Sequence, residues 1–144
     1  MSVKTQDYKT HRRLVPGYHF VLSGIYAALI IISVIITVQQ CGENCLTGVW
    51  LILASVALIV TGFFARSFAI KAQDRGIRAE ENFRHFVLTG KPLPKELRLG
   101  QVIALRFASD EEFPALVTKA VAENIKPDDI KKLVKNWRGD FHRV

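Results

Sequence analysis

The chain has 144 residues, 49% of them hydrophobic, and a net charge of +7. With two long apolar stretches set aside, about 80 residues remain, enough for one small helical domain and too few for two. The surplus of cations does not point to nucleic acid, because it lies on either side of the apolar stretches: residues 1–20 carry +3, residues 21–65 carry −1 and residues 66–144 carry +5.

Residues 1–17 (MSVKTQDYKTHRRLVPG) are polar and basic and close on Pro16-Gly17, a turn signal, so they read as a cytoplasmic arm. Residues 18–65 read as a transmembrane hairpin, with helices at about 20–38 and 46–65 and a loop at 39–45. The first helix, Phe20–Val38, has no ionisable side chain, and Tyr18 and His19 precede it where amphipathic rings favour an interface. It is longer than a signal-peptide core and lacks a small-x-small cleavage pattern, so it reads as an uncleaved anchor. Ser23, Ser33 and Thr37 are expected to bond back to carbonyls of their own helix rather than line a pore. The loop QQCGENC holds Glu43 as its only charge, whereas cations crowd both outer ends. That asymmetry predicts both termini in the cytoplasm. Cys41 and Cys45 in this loop are candidates for a small disulfide ring in an oxidising compartment, or else two thiols. A metal site would need more ligands than Glu43 and Asn44 offer.

The second apolar stretch continues without Pro or a turn cluster to about Thr89, so one helix is expected to run from 46–65 on through 66–89. Small and aromatic residues follow a heptad seam along it: Gly62, Ala65, Ala69, Ala72, Gly76, Ala79, Phe83 and Phe86. Asp74 and Arg78, and Glu80 and Arg84, stand at i,i+4 and are expected to lace a solvated face. The seam predicts a tight helix contact. Its opposite surface is either Val102–Phe107 of the same chain, favoured because that segment must bury apolar surface, or a second copy.

Gly90, Pro92 and Pro94 end the helix, and a small cytoplasmic helical domain completes residues 66–144, with further helices at about 97–108, 110–123 and 127–138. Ser109 and Glu112 match a capping box, the hydroxyl bonding the N3 amide and Glu112 reaching back. Pro127 suits the first position of the last helix, and Gly139 its stop. Lys131, Lys132, Lys135 and Arg138 form a candidate lipid-facing basic stripe opposite Ile130, Leu133 and Trp137. The fold class expected is therefore all-α: a two-helix transmembrane hairpin whose second helix continues into the cytoplasm, plus a small helical C-terminal domain.

YKTHRRLVPGYHF (8–20), RSFAIKAQDRGIR (66–78), QVIALRFASDEE (101–112) and NWRGDFHRV (136–144) together resemble an uncharacterised bacterial family of small two-span inner-membrane proteins, known only as a domain of unknown function, with the ALRFASDEE run as the most specific stretch. The resemblance implies a bacterial inner-membrane protein with a cytoplasmic helical domain, and brings no activity or catalytic residue with it.

Three classes of function stay in view. The seam and the amphipathic helices favour a non-enzymatic membrane-anchored interaction or scaffold protein, whose partners are the lipid bilayer and either a second copy or another protein. A channel or transporter subunit lacks the usual sign of an ion path, because neither apolar segment carries an ionisable residue at mid-span. A membrane-bound enzyme has little to stand on: His11, His19, His85 and His142 are scattered, and no phosphate loop, nucleophile motif or metal spacing occurs. No catalytic, metal-binding or cofactor-binding residue is assigned, and no cofactor is expected.

Overall fold

The computed structural model of the chain describes residues 6–8, 10, 14–40, 42 and 45–140. It is all-helical, with no strand among the described residues. A π-helical turn, Gly17–Leu22, leads into α1 (Ser23–Gln40). There follow α2 (Cys45–Thr89), α3 (Leu99–Leu105), α4 (Phe113–Ala122) and α5 (Pro127–Leu133). The chain divides into two compact units, Leu14–Ala69 and Met1–Arg13 with Ile70–Val144.

In Leu14–Ala69 the first helix starts three residues before the expected Phe20. Pro16 precedes the first helical residue, and the Val15 carbonyl accepts from the amides of Tyr18 and His19 at 3.1 and 2.9 Å. Ser33 and Thr37 bond back to Leu29 and Ser33 carbonyls at 2.6 and 2.7 Å, as β-hydroxyl residues in an apolar helix do. The two helices meet through small and polar residues. The Ser33 and Ser55 hydroxyls lie 3.0 Å apart. A Cβ on Gly48 would come within 2.7 Å of the Thr37 Cα, so glycine is what lets the backbones close there. Gly62 faces the Tyr26 hydroxyl, and the Tyr18 hydroxyl donates to the Gly62 carbonyl at 3.3 Å. Arg66 stacks over the Tyr18 ring at 5.3 Å.

The other unit closes a conventional apolar core. Leu97, Val102, Leu105, Phe113, Val117 and Ile130 are its centre, with α3 packed on α5 and α4. The part of α2 in this unit buries Ile77, Glu81 and His85, at i, +4 and +8. It ends where expected: Gly90 takes φ 72°, a left-handed value that favours glycine, and its amide donates to the Phe86 carbonyl at 2.8 Å.

The later helices are shorter than the expected 97–108, 110–123 and 127–138. The last one stops at Leu133 because the chain turns extended at Val134 and runs back along residues 107–109. The Ser109 amide donates to the Asn136 carbonyl at 3.1 Å and the Arg138 amide to the Phe107 carbonyl at 2.7 Å, while Trp137 stacks on Phe107 with centroids 4.9 Å apart. Trp137 therefore follows the helix rather than belonging to it, and Gly139 is not its stop.

The capping box is corrected too. Phe113 and Pro114 are the first two residues of α4, so Glu112, not Ser109, stands at the cap position. Half of the motif survives, since Glu112 accepts from the Ser109 amide at 3.4 Å. The same carboxylate also takes the amides of Lys135 and Asn136, at 3.2 and 2.9 Å, and these are the bonds that draw the chain out of helix after Leu133.

Candidate functional site

Charged side chains gather along one flank of α2 in the unit containing Ile70–Val144. Arg84 lies at their centre. Its guanidinium donates to Glu81 at 3.0 Å, to Asp110 at 2.7 Å and to the Ala108 carbonyl at 2.7 Å, and sits 4.3 Å over the Phe113 ring. The expected i,i+4 pair of Arg84 with Glu80 is therefore replaced by contacts with Glu81 and Asp110. Burial accounts for the exchange, because the Glu81 and Arg84 side chains are both about nine-tenths covered and satisfy each other's charge. Arg106 pairs with Asp140 at 3.1 Å, and the Asp140 backbone is held by Gln6, which accepts from its amide at 2.8 Å and donates to its carbonyl at 3.2 Å. Arg138 reaches to 3.9 Å from Glu81.

Glu81, Arg106, Arg138, Gly139 and Asp140 wall a cleft of ≈ 480 Å³ that Gln73, Gly76, Ile77 and Glu80 of α2 also line. Among the described residues no Ser, Cys or His lines it. Most of its charges are already engaged in the ion pairs just described, so what the wall does chemically is fasten α2 to the segments at 106–110 and 138–140.

Five of the seven residues of the RFASDEE run have a place in this arrangement. Arg106 and Asp110 make the two ion pairs, Phe107 and Ala108 fill the core, and Glu112 staples the chain at 135–136. His85, outside the cleft, is buried with Nδ1 at 2.7 Å from the Lys91 carbonyl, a structural position at the end of α2.

The seam falls elsewhere. Ala72, Gly76, Ala79, Phe83 and Phe86 are exposed, and a Cβ on Gly76 would meet nothing within 4 Å. The expected packing on Val102–Phe107 is absent, because that segment is covered by α4 and α5 instead. At about 100° per residue Ala72, Ala79, Phe83 and Phe86 lie on the side of α2 away from Ile77, Glu81 and His85, while Gly76 stands at the edge of the strip, where it also lines the cleft. Gly62 belongs to the contact with Tyr26, while Ala65 is exposed and Ala69 half-buried.

The basic stripe does not form one helical face. Lys131 and Lys132 are on α5, paired with Asp128 and Asp129 at 3.9 and 2.9 Å, whereas Lys135 and Arg138 lie beyond its end. Lys132 also lies 5.9 Å over the Tyr8 ring, and the Tyr8 hydroxyl donates to Asp128 at 3.2 Å. Cys45 opens α2 and is exposed. Cys41, and with it the candidate disulfide, lies outside the described residues, as do Glu43, His11 and His142.

Fold and surface together define an all-helical protein with two long apolar helices and a small helical unit that carries a charged cleft. The chain belongs to the family of unknown function DUF6526, which it matches over residues 1–144. No curated protein and no solved structure matches it.

Proposed function

We propose that this is a non-enzymatic, membrane-anchored interaction protein of the bacterial inner membrane, with both termini in the cytoplasm. Two helices are long and apolar enough to cross a bilayer, and only 6% and 11% of their most apolar windows are buried, unlike the core helix of a soluble protein. The cations before residue 20 and after residue 65, against a single acid in the connection, support the orientation.

The observation that carries the interaction reading is the outer face of α2. Phe83 and Phe86 are 68% and 53% exposed there, next to Val87 at 66%, beside a core that is already complete without them. Large apolar groups clustered on a water-facing helix are the mark of a binding surface. The test is purification of the tagged chain from native membranes in mild detergent, with native mass of the complex. A monomer without bound protein would overturn the reading. Orientation is tested by cysteine labelling in intact cells: position 43 is expected to react from outside, and positions 5 and 140 only after permeabilisation.

A further inference from the structure

We propose that the outer face of α2 binds a second copy of this chain, the two helices running parallel with Ala72, Gly76, Ala79, Phe83 and Phe86 at their contact. The proposal rests on the membrane-anchored interaction reading and names its partner.

The steps along this face are 4, 3, 4 and 3, which places Gly76 and Phe83 at a positions of a heptad and Ala72, Ala79 and Phe86 at d positions. The flanking residues then choose both partner and direction. Arg75 and Asn82 fall at g; Gln73, Glu80 and Val87 fall at e. In a parallel pair each g residue faces the e residue five positions later in the other helix, so Arg75 of each copy meets Glu80 of the other, twice by symmetry. An antiparallel pair would instead set g against g and e against e, which brings no opposite charges together.

Within one chain these two groups do not serve each other, since residues five apart do not share a helix face. The i+4 neighbour that could have neutralised Glu80 is Arg84, and it is taken by Glu81 and Asp110. Gly76 fits the same account. It costs about 1 kcal/mol relative to alanine in an exposed helix, and no described atom of its own chain comes near enough to need the space. Close approach of another backbone does. Direction is also set independently of the charges: copies inserted in one membrane with one orientation point their α2 helices the same way. The arrangement required by Arg75 and Glu80 is thus the one the membrane imposes, and confinement to the membrane raises the effective concentration for so short a contact.

The experiment uses the full chain in lipid vesicles, with Cys41→Ser and Cys45→Ser as background. Under mild oxidation Ala79→Cys is expected to form a disulfide dimer and Arg78→Cys, off the contact, is not. In parallel, dimer formation is read by energy transfer between labelled copies. Arg75→Glu and Glu80→Arg each replace two attractions by repulsions and are expected to raise the dissociation constant about fivefold. The double variant restores both pairs and should return within about twofold of the parent. Equal crosslinking at 78 and 79, or a double variant as weak as either single one, overturns the parallel pair. Native mass of the purified chain separates the two readings. A complex with a different protein and no second copy overturns the dimer and leaves the interaction protein standing; a bare monomer overturns both.

Discussion

Among the described residues of Leu14–Ala69 the buried side chains belong to Ser33 and Ser55, while Ile31, Ile32, Leu53 and Phe63 face outward. In the unit containing Ile70–Val144 the order is reversed, with Leu105, Phe107 and Phe113 fully enclosed and Asp128, Asp129 and Lys132 outside. One chain therefore uses opposite rules for what it hides. A hydroxyl is worth enclosing where the surroundings offer it nothing better, and an isoleucine is worth enclosing only where the surroundings are water. The contrast supports the membrane reading of the first region more than length or composition alone, because it concerns which side chains meet and not only which are present.

The sharpest way to break the comparison is to attack the charged group that the unit containing Ile70–Val144 does enclose. Arg84→Ala would strip Glu81 of its 3.0 Å partner and the Ala108 carbonyl of its donor, leaving a buried carboxylate with Arg138 at 3.9 Å. The expected loss is about 3–5 kcal/mol, read by chemical unfolding of the detergent-solubilised chain. A loss under about 1 kcal/mol would mean that this wall is decoration on an apolar core.

In the apolar-faced region the largest effect should come from close approach. Gly48→Ala sets a methyl group against the Thr37 backbone and is expected to cost about 1–3 kcal/mol. Gly24→Ala, with nothing within 4 Å, should instead gain up to about 1 kcal/mol of helix propensity. Opposite signs in thermal melts in lipid nanodiscs would confirm that small residues set the helix spacing; equal signs would refute it. Ser55→Ala tests the enclosed hydroxyl pair itself. Because the Ser33 hydroxyl left behind still has the Leu29 carbonyl of its own helix, at 2.6 Å, the pair is expected to contribute only about 0.6 kcal/mol.

Much of the outward-apolar region was legible in the sequence, since an unbroken run of apolar residues leaves few alternatives to a helix. The two helices were expected there, and so was the back-bonding of Ser33 and Thr37. The unit containing Ile70–Val144 was read less well at each place where a side chain serves a distant segment. Arg84 looked like the i+4 partner of Glu80, yet contacts with Asp110 and Ala108, more than twenty residues away, decided its direction. Glu112 looked like a local cap and is also a brace for residues 135–136. Ile130, Leu133, Val134 and Trp137 keep helical spacing, but the last turn is pulled out by that brace, and no local pattern records it. The cleft was missed for the same reason, as its walls come from α2, residue 106 and residues 138–140. The heptad strip was legible as a face, but of the two contacts it left open the favoured one, Val102–Phe107, is covered by α4 and α5.

The smallest effect expected is electrostatic and lies on the surface of α5. The Lys132 ammonium donates to Asp129 at 2.9 Å, and this hydrogen bond, with the charge behind it and a lesser pull from Lys126, holds the Asp129 carboxyl below the usual carboxylate range. The same bond holds Lys132 above the usual lysine value. In the unfolded chain Asp129 would take up its proton near the ordinary aspartate pKa of about 3.9. The folded form therefore gains stability from this carboxylate above that pH, and loses it as the pH falls through the lower folded value. Asp129→Asn removes the gain at neutral pH and also the acid-dependent loss, so its stability should fall less steeply than the parent's below about pH 4. Both groups are solvated, so the difference should be small and should shrink further at 1 M salt, where screening acts within about 3 Å. The measurement is the acid limb of unfolding for parent and variant at two salt concentrations. Superimposable limbs at low salt would show that the pair, though well formed, leaves the balance between folded and unfolded chain unchanged.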